Sequence, residues 1–183
     1  MLKSNAQPIN IAVTIVPPVS NDIVQILNDP NKVMVSITNT SNKDYSLKFH
    51  LTITGDNGVK LVTKEDYVPR RVFKLRALES VMVGLNEFTD YAIESDIIYS
   101  GIDPAQVIRT RKVPEGNYSF CIEAFDYNTP GKTAPLSSGY PSGCAYNLNL
   151  VLLDPPQIVS VGNGDCGNKL TPRTPQLVNL IWL

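Results

Sequence analysis

The stretch from Pro114 to Tyr127 constrains this chain more than any other. Pro114-Glu115-Gly116-Asn117 reads as a tight turn. It launches a run in which Tyr118, Phe120, Ile122 and Ala124 alternate with Ser119, Cys121 and Glu123. Successive side chains of a strand point to opposite faces, so a period of two predicts a strand with one buried face. A second such run, Cys144 to Leu152, follows a stretch rich in Pro, Gly and Ser. Two alternating runs, each bearing a cysteine and joined by turn residues, predict the closing hairpin of a β-sandwich.

The same alternation recurs along the chain. Ile9, Ile11, Val13 and Ile15 alternate until Pro17-Pro18, where the missing N–H groups end a ladder. Val33, Val35 and Ile37 precede the turn residues at 39–42. Leu47, Phe49, Leu51 and Ile53 lead to Gly55-Asp56-Asn57-Gly58, a hairpin signal because Gly and Asn tolerate positive φ. Residues 59–63 return, and 72–75 and 81–85 are shorter candidates. One helix is predicted: Asn86 as N-cap, Glu87 in the first turn, and Phe88, Tyr91 and Ala92 on one face against the sandwich edge. It reads as a crossover over 86–100, ended by Gly101.

Asp154-Pro155-Pro156 marks a stiff boundary. Beyond it, 157–161, the Gly/Asn-rich 162–168 and the Trp182-containing end read as the opening strands of another sandwich, either disordered here or borrowing strands from a neighbour. The expectation is an all-β chain. An immunoglobulin/fibronectin III-like β-sandwich occupies 8–153, with one short crossover helix, and 154–183 is the truncated start of a second fibronectin-like domain.

Composition narrows the function classes. Charged residues are only 18% of the 183, hydrophobic residues 43%, and the formal net charge is −1. No basic footprint for nucleic acid appears. The densest basic run, Arg109-Thr110-Arg111-Lys112, reads as a solvated strand end. No apolar run approaches the roughly 18 residues of a membrane span, so direct membrane insertion is not expected. Met1 to Gln7 has no apolar signal-peptide core and reads as an added tag or a trimmed export signal, while the end at Leu183 falls in mid-pattern and reads as the mark of a fragment of a longer protein.

Cys121 and Cys144 are the chemical pair of interest. Antiparallel neighbours reach the Cα spacing of about 5.5–6 Å that a disulfide needs. Strand parity complicates this: Cys121 lies opposite the face of Tyr118, Phe120 and Ile122, whereas Cys144 shares parity with Tyr146, Leu148 and Leu150. A bridge therefore requires a bulge or a different facing; two separate core thiols are the alternative. Cys166 sits in a Gly-rich loop, free or paired with something downstream, and three such cysteines do not make a zinc site. His50 is the only histidine, and its parity predicts a solvent-facing side chain. Asp56-Asn57 with Asp126 or Asp154 has no ligand-spaced calcium motif, so turn chemistry is favoured. Asn39-Thr40-Ser41 and Asn117-Tyr118-Ser119 match glycosylation sequons. Tyr118 stands near the tyrosine-corner position of sandwiches, three residues before a cysteine rather than two.

Several of these segments together carry a resemblance. They are the strand ending in Pro17-Pro18, Val33 to Ser41, Thr54 to Val59, Leu85-Asn86-Glu87-Phe88, Val113 to Tyr118, Cys121, Leu136-Ser137, Gly143-Cys144 and Asp154-Pro155-Pro156. The chain resembles, over about residues 8–183, the TANFOR-domain family. These are very large surface-associated proteins of Bacteroidota with fibronectin type III-like modules. The resemblance implies an exported, cell-surface, multi-module protein tied to type IX secretion, and it implies no catalytic residues.

The expected function is a non-catalytic structural or adhesive module without cofactor or metal. Its partners would be other domains of the same chain and outer-membrane or cell-surface proteins. The long 128–143 loop, with Tyr127 and Tyr140, is the expected recognition surface. The rivals are a part or client of a secretion or gliding-motility assembly, a carbohydrate-binding accessory module and, least favoured, an enzyme.

Overall fold

In the computed structural model, the described residues are 7–151 apart from 23–24, 27–28, 30, 92–95, 132–133 and 140. The chain divides into two units, Met1–Leu152 and Leu153–Leu183. The expected second domain, with Asp154, Cys166 and Trp182, lies outside the described residues.

Alternating sequence becomes strand nearly everywhere it occurs. The strands are β1 (Ile9–Ile15), β2 (Val19–Ser20), β3 (Val33–Asn39), β4 (Tyr45–Gly55), β5 (Lys60–Thr63), β6 (Phe73–Leu75), β7 (Ser80–Gly84), β8 (Ile97–Ser100), β9 (Gly116–Asp126) and β10 (Cys144–Val151). They form a three-stranded sheet, β1-β3-β7, and a seven-stranded sheet, β2-β10-β9-β4-β5-β8, with β6 also paired to β4. The chain is therefore an all-β sandwich, and its strand order follows the immunoglobulin pattern of an A-B-E sheet facing a C-F-G sheet.

The two prolines at 17–18 explain why one N-terminal strand serves both sheets. β1 pairs antiparallel with β3, the ladder stops at the prolines, and β2 resumes in the other sheet, parallel to β10. A second tie runs through 136–137. Ile9 N–H donates to Leu136 O at 3.1 Å, and Leu136 N–H donates to Ala124 O of β9 at 2.8 Å.

The inward faces meet in one apolar layer: Ile9 and Ile11 of β1, Val33, Val35 and Ile37 of β3, Leu47, Phe49 and Leu51 of β4, and Phe120, Ile122 and Ala124 of β9. Phe49 is its centre, edge-on to Phe73 and to Phe88, with ring centroids 5.2 Å away in each case. Burying each such side chain contributes about 1.5–3 kcal/mol. A second apolar cluster gathers Val19, Val59, Leu61, Val113, Tyr118 and Leu150.

The crossover differs from the expectation of a single helix over 86–100. A 3-10 helix, Leu85–Tyr91, carries the chain from β7 toward the other sheet, and its Phe88 is sunk in the core rather than resting on an edge. β8 then pairs with β5, in register from Lys60↔Ser100 to Thr63↔Ile97, so 97–100 is strand. A further helix, α1 (Pro104–Thr110), follows. Asp103 caps it by accepting from Ala105 N–H at 3.0 Å, and Pro104 enters where its missing N–H costs nothing. The basic run at 109–112 is accordingly the exposed end of this helix, not a strand end.

Candidate functional site

Cys121 and Cys144 face each other directly across β9 and β10 and are bridged, with an S–S distance of 2.07 Å and Cα atoms 4.1 Å apart. The parity conflict is resolved by a bulge. Ala145 opposes Phe120 and Leu148 opposes Tyr118, so β10 holds one extra residue over that interval, and Asn147 takes a positive φ of 57°. Before the bulge Cys144 faces outward with Cys121; after it Leu148 faces inward with Tyr118. The bridge thus joins neighbouring strands of one sheet, unlike the intersheet disulfide of antibody domains.

The 128–143 loop does not project as a free recognition arm. The Lys48 ammonium donates to Thr129 O at 2.8 Å and Gly131 O at 2.9 Å. Ser137 Oγ accepts from Ala124 N–H at 2.7 Å, and Ile122 N–H donates to Gly143 O at 2.8 Å. Asp126 starts the turn by accepting from Asn128 N–H at 3.0 Å. The loop is therefore held at 129 and 131 over Lys48 of β4, and at 136, 137 and 143 along the edge of β9. Tyr127 is half-buried, its N–H bonded to Ser46 O at 2.9 Å, and Tyr140 lies outside the described residues.

This covered face overturns the solvent-facing expectation for His50. The side chain does point away from the main core, as parity requires, yet it is only 3% exposed and its ring lies 4.7 Å from that of Phe125. Glu123 is its cross-strand partner, and Gly139 sits so close over Glu123 that an added Cβ would meet the carboxylate at 2.9 Å. Lys48, 1% exposed, is buried under the same loop. Alternation reports which residues share a face; it does not report that a loop distant in sequence covers that face.

Tyr118 fulfils the corner geometry despite its shifted spacing. Its hydroxyl donates to Pro114 O at 2.8 Å, four residues upstream, and accepts from Asn57 Nδ2 at 2.9 Å. Burial raises its pKa above the ordinary tyrosine value, partly offset by the Asn57 hydrogen bond; the nearby Asp56 charge adds to the rise.

The carboxylates weighed for calcium do not converge. Asp56 accepts from Asn117 N–H and Nδ2, each at 3.2 Å, so it pins the β4–β5 turn to the start of β9. Asp126 closes the opposite end of β9, roughly 30 Å away at a rise of about 3.3 Å per residue. Asp154 lies outside the described residues. Among the described residues no group of three or more His, Cys, Asp or Glu is placed to hold a metal.

A depression of about 630 Å³ is lined by Asp44, Tyr45, Ser46, Lys74, Leu75, Arg76 and Glu79. Two of its carboxylates are spent on backbone: Asp44 accepts from Ala77 N–H at 2.8 Å and Glu79 from Arg76 N–H at 2.6 Å. For sugar binding, a row of solvent-facing aromatics is needed. Among the described large apolar side chains, Tyr146 at 42% is the exposed aromatic.

A surface that sequence reading passed over is the outer face of the three-stranded sheet. Its cross-strand rows are Asn10–Thr38–Ser80, Ala12–Ser36–Met82 and Thr14–Met34–Gly84. No residue in these rows is charged. Thr38 Oγ1 and Ser80 Oγ share a hydrogen bond of 2.8 Å, and Met82 is 69% exposed. The signal was present as the polar half of each alternation, which holds Ser, Thr, Asn and Met where surface strands usually hold Lys and Glu.

Compared with family models, with curated proteins and with solved structures, the chain matches none.

Proposed function

We propose that this chain is a non-catalytic structural or interaction module of a larger exported, cell-surface protein. The observation that carries this reading is the Cys121–Cys144 bridge in a β-sandwich. Disulfides form and persist in oxidising compartments and are rare where glutathione keeps thiols reduced. The placement of His50 adds support, because an imidazole only 3% exposed and packed beside Phe125 is poorly placed to meet a substrate. The resemblance to TANFOR-domain proteins points the same way, toward a multi-module surface protein that works beside type IX secretion. On this reading the partners are other domains of the same chain and proteins of the outer membrane or cell surface.

The test is purification of the full-length protein from the native cell envelope under non-reducing conditions, with mass spectrometry of its thiols and of co-purifying proteins. The expected result is an envelope or secreted fraction with Cys121 linked to Cys144. Recovery in the cytoplasmic fraction with both thiols free overturns the reading.

A further inference from the structure

β1 and β7 are the two margins of the three-stranded sheet; β1 is tied outward at Ile9 to Leu136, whereas no strand among the described residues lies beyond β7. Its register on β3 fixes which backbone groups are used. Asn39 N–H donates to Glu79 O at 2.8 Å, so the directly bonded pairs are 39/79, 37/81 and 35/83. The N–H and C=O groups of Ser80, Met82 and Gly84 therefore point away from β3. Natural edges of this kind are usually blunted with lysine, proline or a bulge. β7 has none of these: its sequence is Ser-Val-Met-Val-Gly and its register on β3 runs without a shift. The sheet face behind it is free of charge across all three strands. At one margin of the larger sheet, β8 is backed by a row that carries Lys60.

We infer that β7 pairs with β7 of a second copy of this chain, antiparallel about a two-fold axis through Met82. The outward groups alternate in the right phase. With Met82 opposite its own copy, Ser80 falls opposite Gly84 on both sides, and these are the residues whose backbone groups are available. Val81 and Val83 then continue the inward layer, and the two three-stranded sheets become one of six strands. Charge selects this occupant. An isologous contact brings each residue at the axis against its own kind, so any charge there would be doubled into repulsion. An uncharged strand on an uncharged face escapes that penalty and offers nothing to attract a charged partner. A five-residue edge gives a small interface, which places the dimer in the weak, transient class. The inference goes beyond the proposed function and does not depend on the compartment assigned there; either can fail while the other stands.

The test uses the full chain with Cys166→Ser, to remove the thiol outside the bridge. Sedimentation is followed from dilute solution to the solubility limit. The expected result is a concentration-dependent shift from monomer toward twice the monomer mass. Met82→Pro removes an N–H that points away from β3, so it should abolish the shift with little change in thermal midpoint. Met82→Cys should give a covalent dimer under mild oxidation, since opposed residues in a bonded pair lie about 5.5 Å apart at Cα. Ala12→Cys, on the same face but in β1 at the opposite margin of the sheet, should not. A chain that stays monomeric at every concentration overturns the inference. So does a dimer that persists unchanged in Met82→Pro, or equal crosslinking at positions 12 and 82.

Discussion

Asn39 stands at the end of β3, where three chain segments meet. Its Nδ2 donates to Lys43 O and to Arg76 O, each at 2.7 Å, while Oδ1 accepts from Ser41 N–H and Ser41 Oγ, each at 2.9 Å. The buried amide is thus fully used, and despite its sequon it has no surface on which to carry a glycan. Replacing it with alanine removes four part-buried side-chain hydrogen bonds, each contributing about 0.5–1.5 kcal/mol net. Asn39→Ala should lower stability by roughly 2–4 kcal/mol in a urea titration, a large share of what a domain of this size has. Tyr118 yields a pH-dependent counterpart. Its folded pKa lies above the unfolded one, so the neutral phenol is what the fold favours. That contribution is full below the unfolded value of about 10 and is lost as pH rises through the folded pKa. Tyr118→Phe should cost stability at neutral pH through the lost Pro114 and Asn57 bonds, yet show a shallower decline above pH 10. Stability curves for the two proteins across that range check the sign.

At the scale of elements, the bridged pair of β9 and β10 is the part with most at stake. The disulfide spans a separation of 23 residues. In the chain-entropy account, closing a loop of that length contributes roughly 3 kcal/mol. Reduction, or Cys121→Ala with Cys144→Ala, should lower the denaturation midpoint accordingly. Strand existence was legible because alternation is a local signal, and even the bulge in β10 announced itself as a clash of parities between Cys144 and Cys121. What escaped was written at another scale. β2 has two residues and exists only because β10 lies beside it. α1 carried its signal openly in Asp103-Pro104, but seven residues are too few for apolar periodicity to stand out. Lys48 was missed because the loop that covers it is about 80 residues further on, and the burial of His50 on the same face is likewise invisible to alternation.

The whole molecule is ordered around two strands. β4 and β9 lie at the middle of the larger sheet, and their paired register runs unbroken from Leu47↔Asp126 to Gly55↔Tyr118. Amides of this pair should exchange with solvent most slowly, and those of β2 and β8 at the sheet margins should exchange first. Hydrogen exchange followed by mass spectrometry reads that order directly. A margin that outlasted the β4–β9 pair would show that stability is distributed differently from packing.

The bridge has one more consequence, which appears only if the module is placed under tension. A module pulled through the two ends of its sandwich takes the load in at β1 and passes it out at β10. Once the strands give way, slack is released at about 3.4 Å per residue. The residues enclosed between Cys121 and Cys144 cannot contribute to it, because the sulfur link carries the load past them. The oxidised chain should therefore lengthen by roughly 75 Å less than the reduced chain when unravelled in a single-molecule pulling experiment. The disulfide is then a stop on extension as well as a brace. It keeps one segment folded back on itself however hard the rest is drawn out.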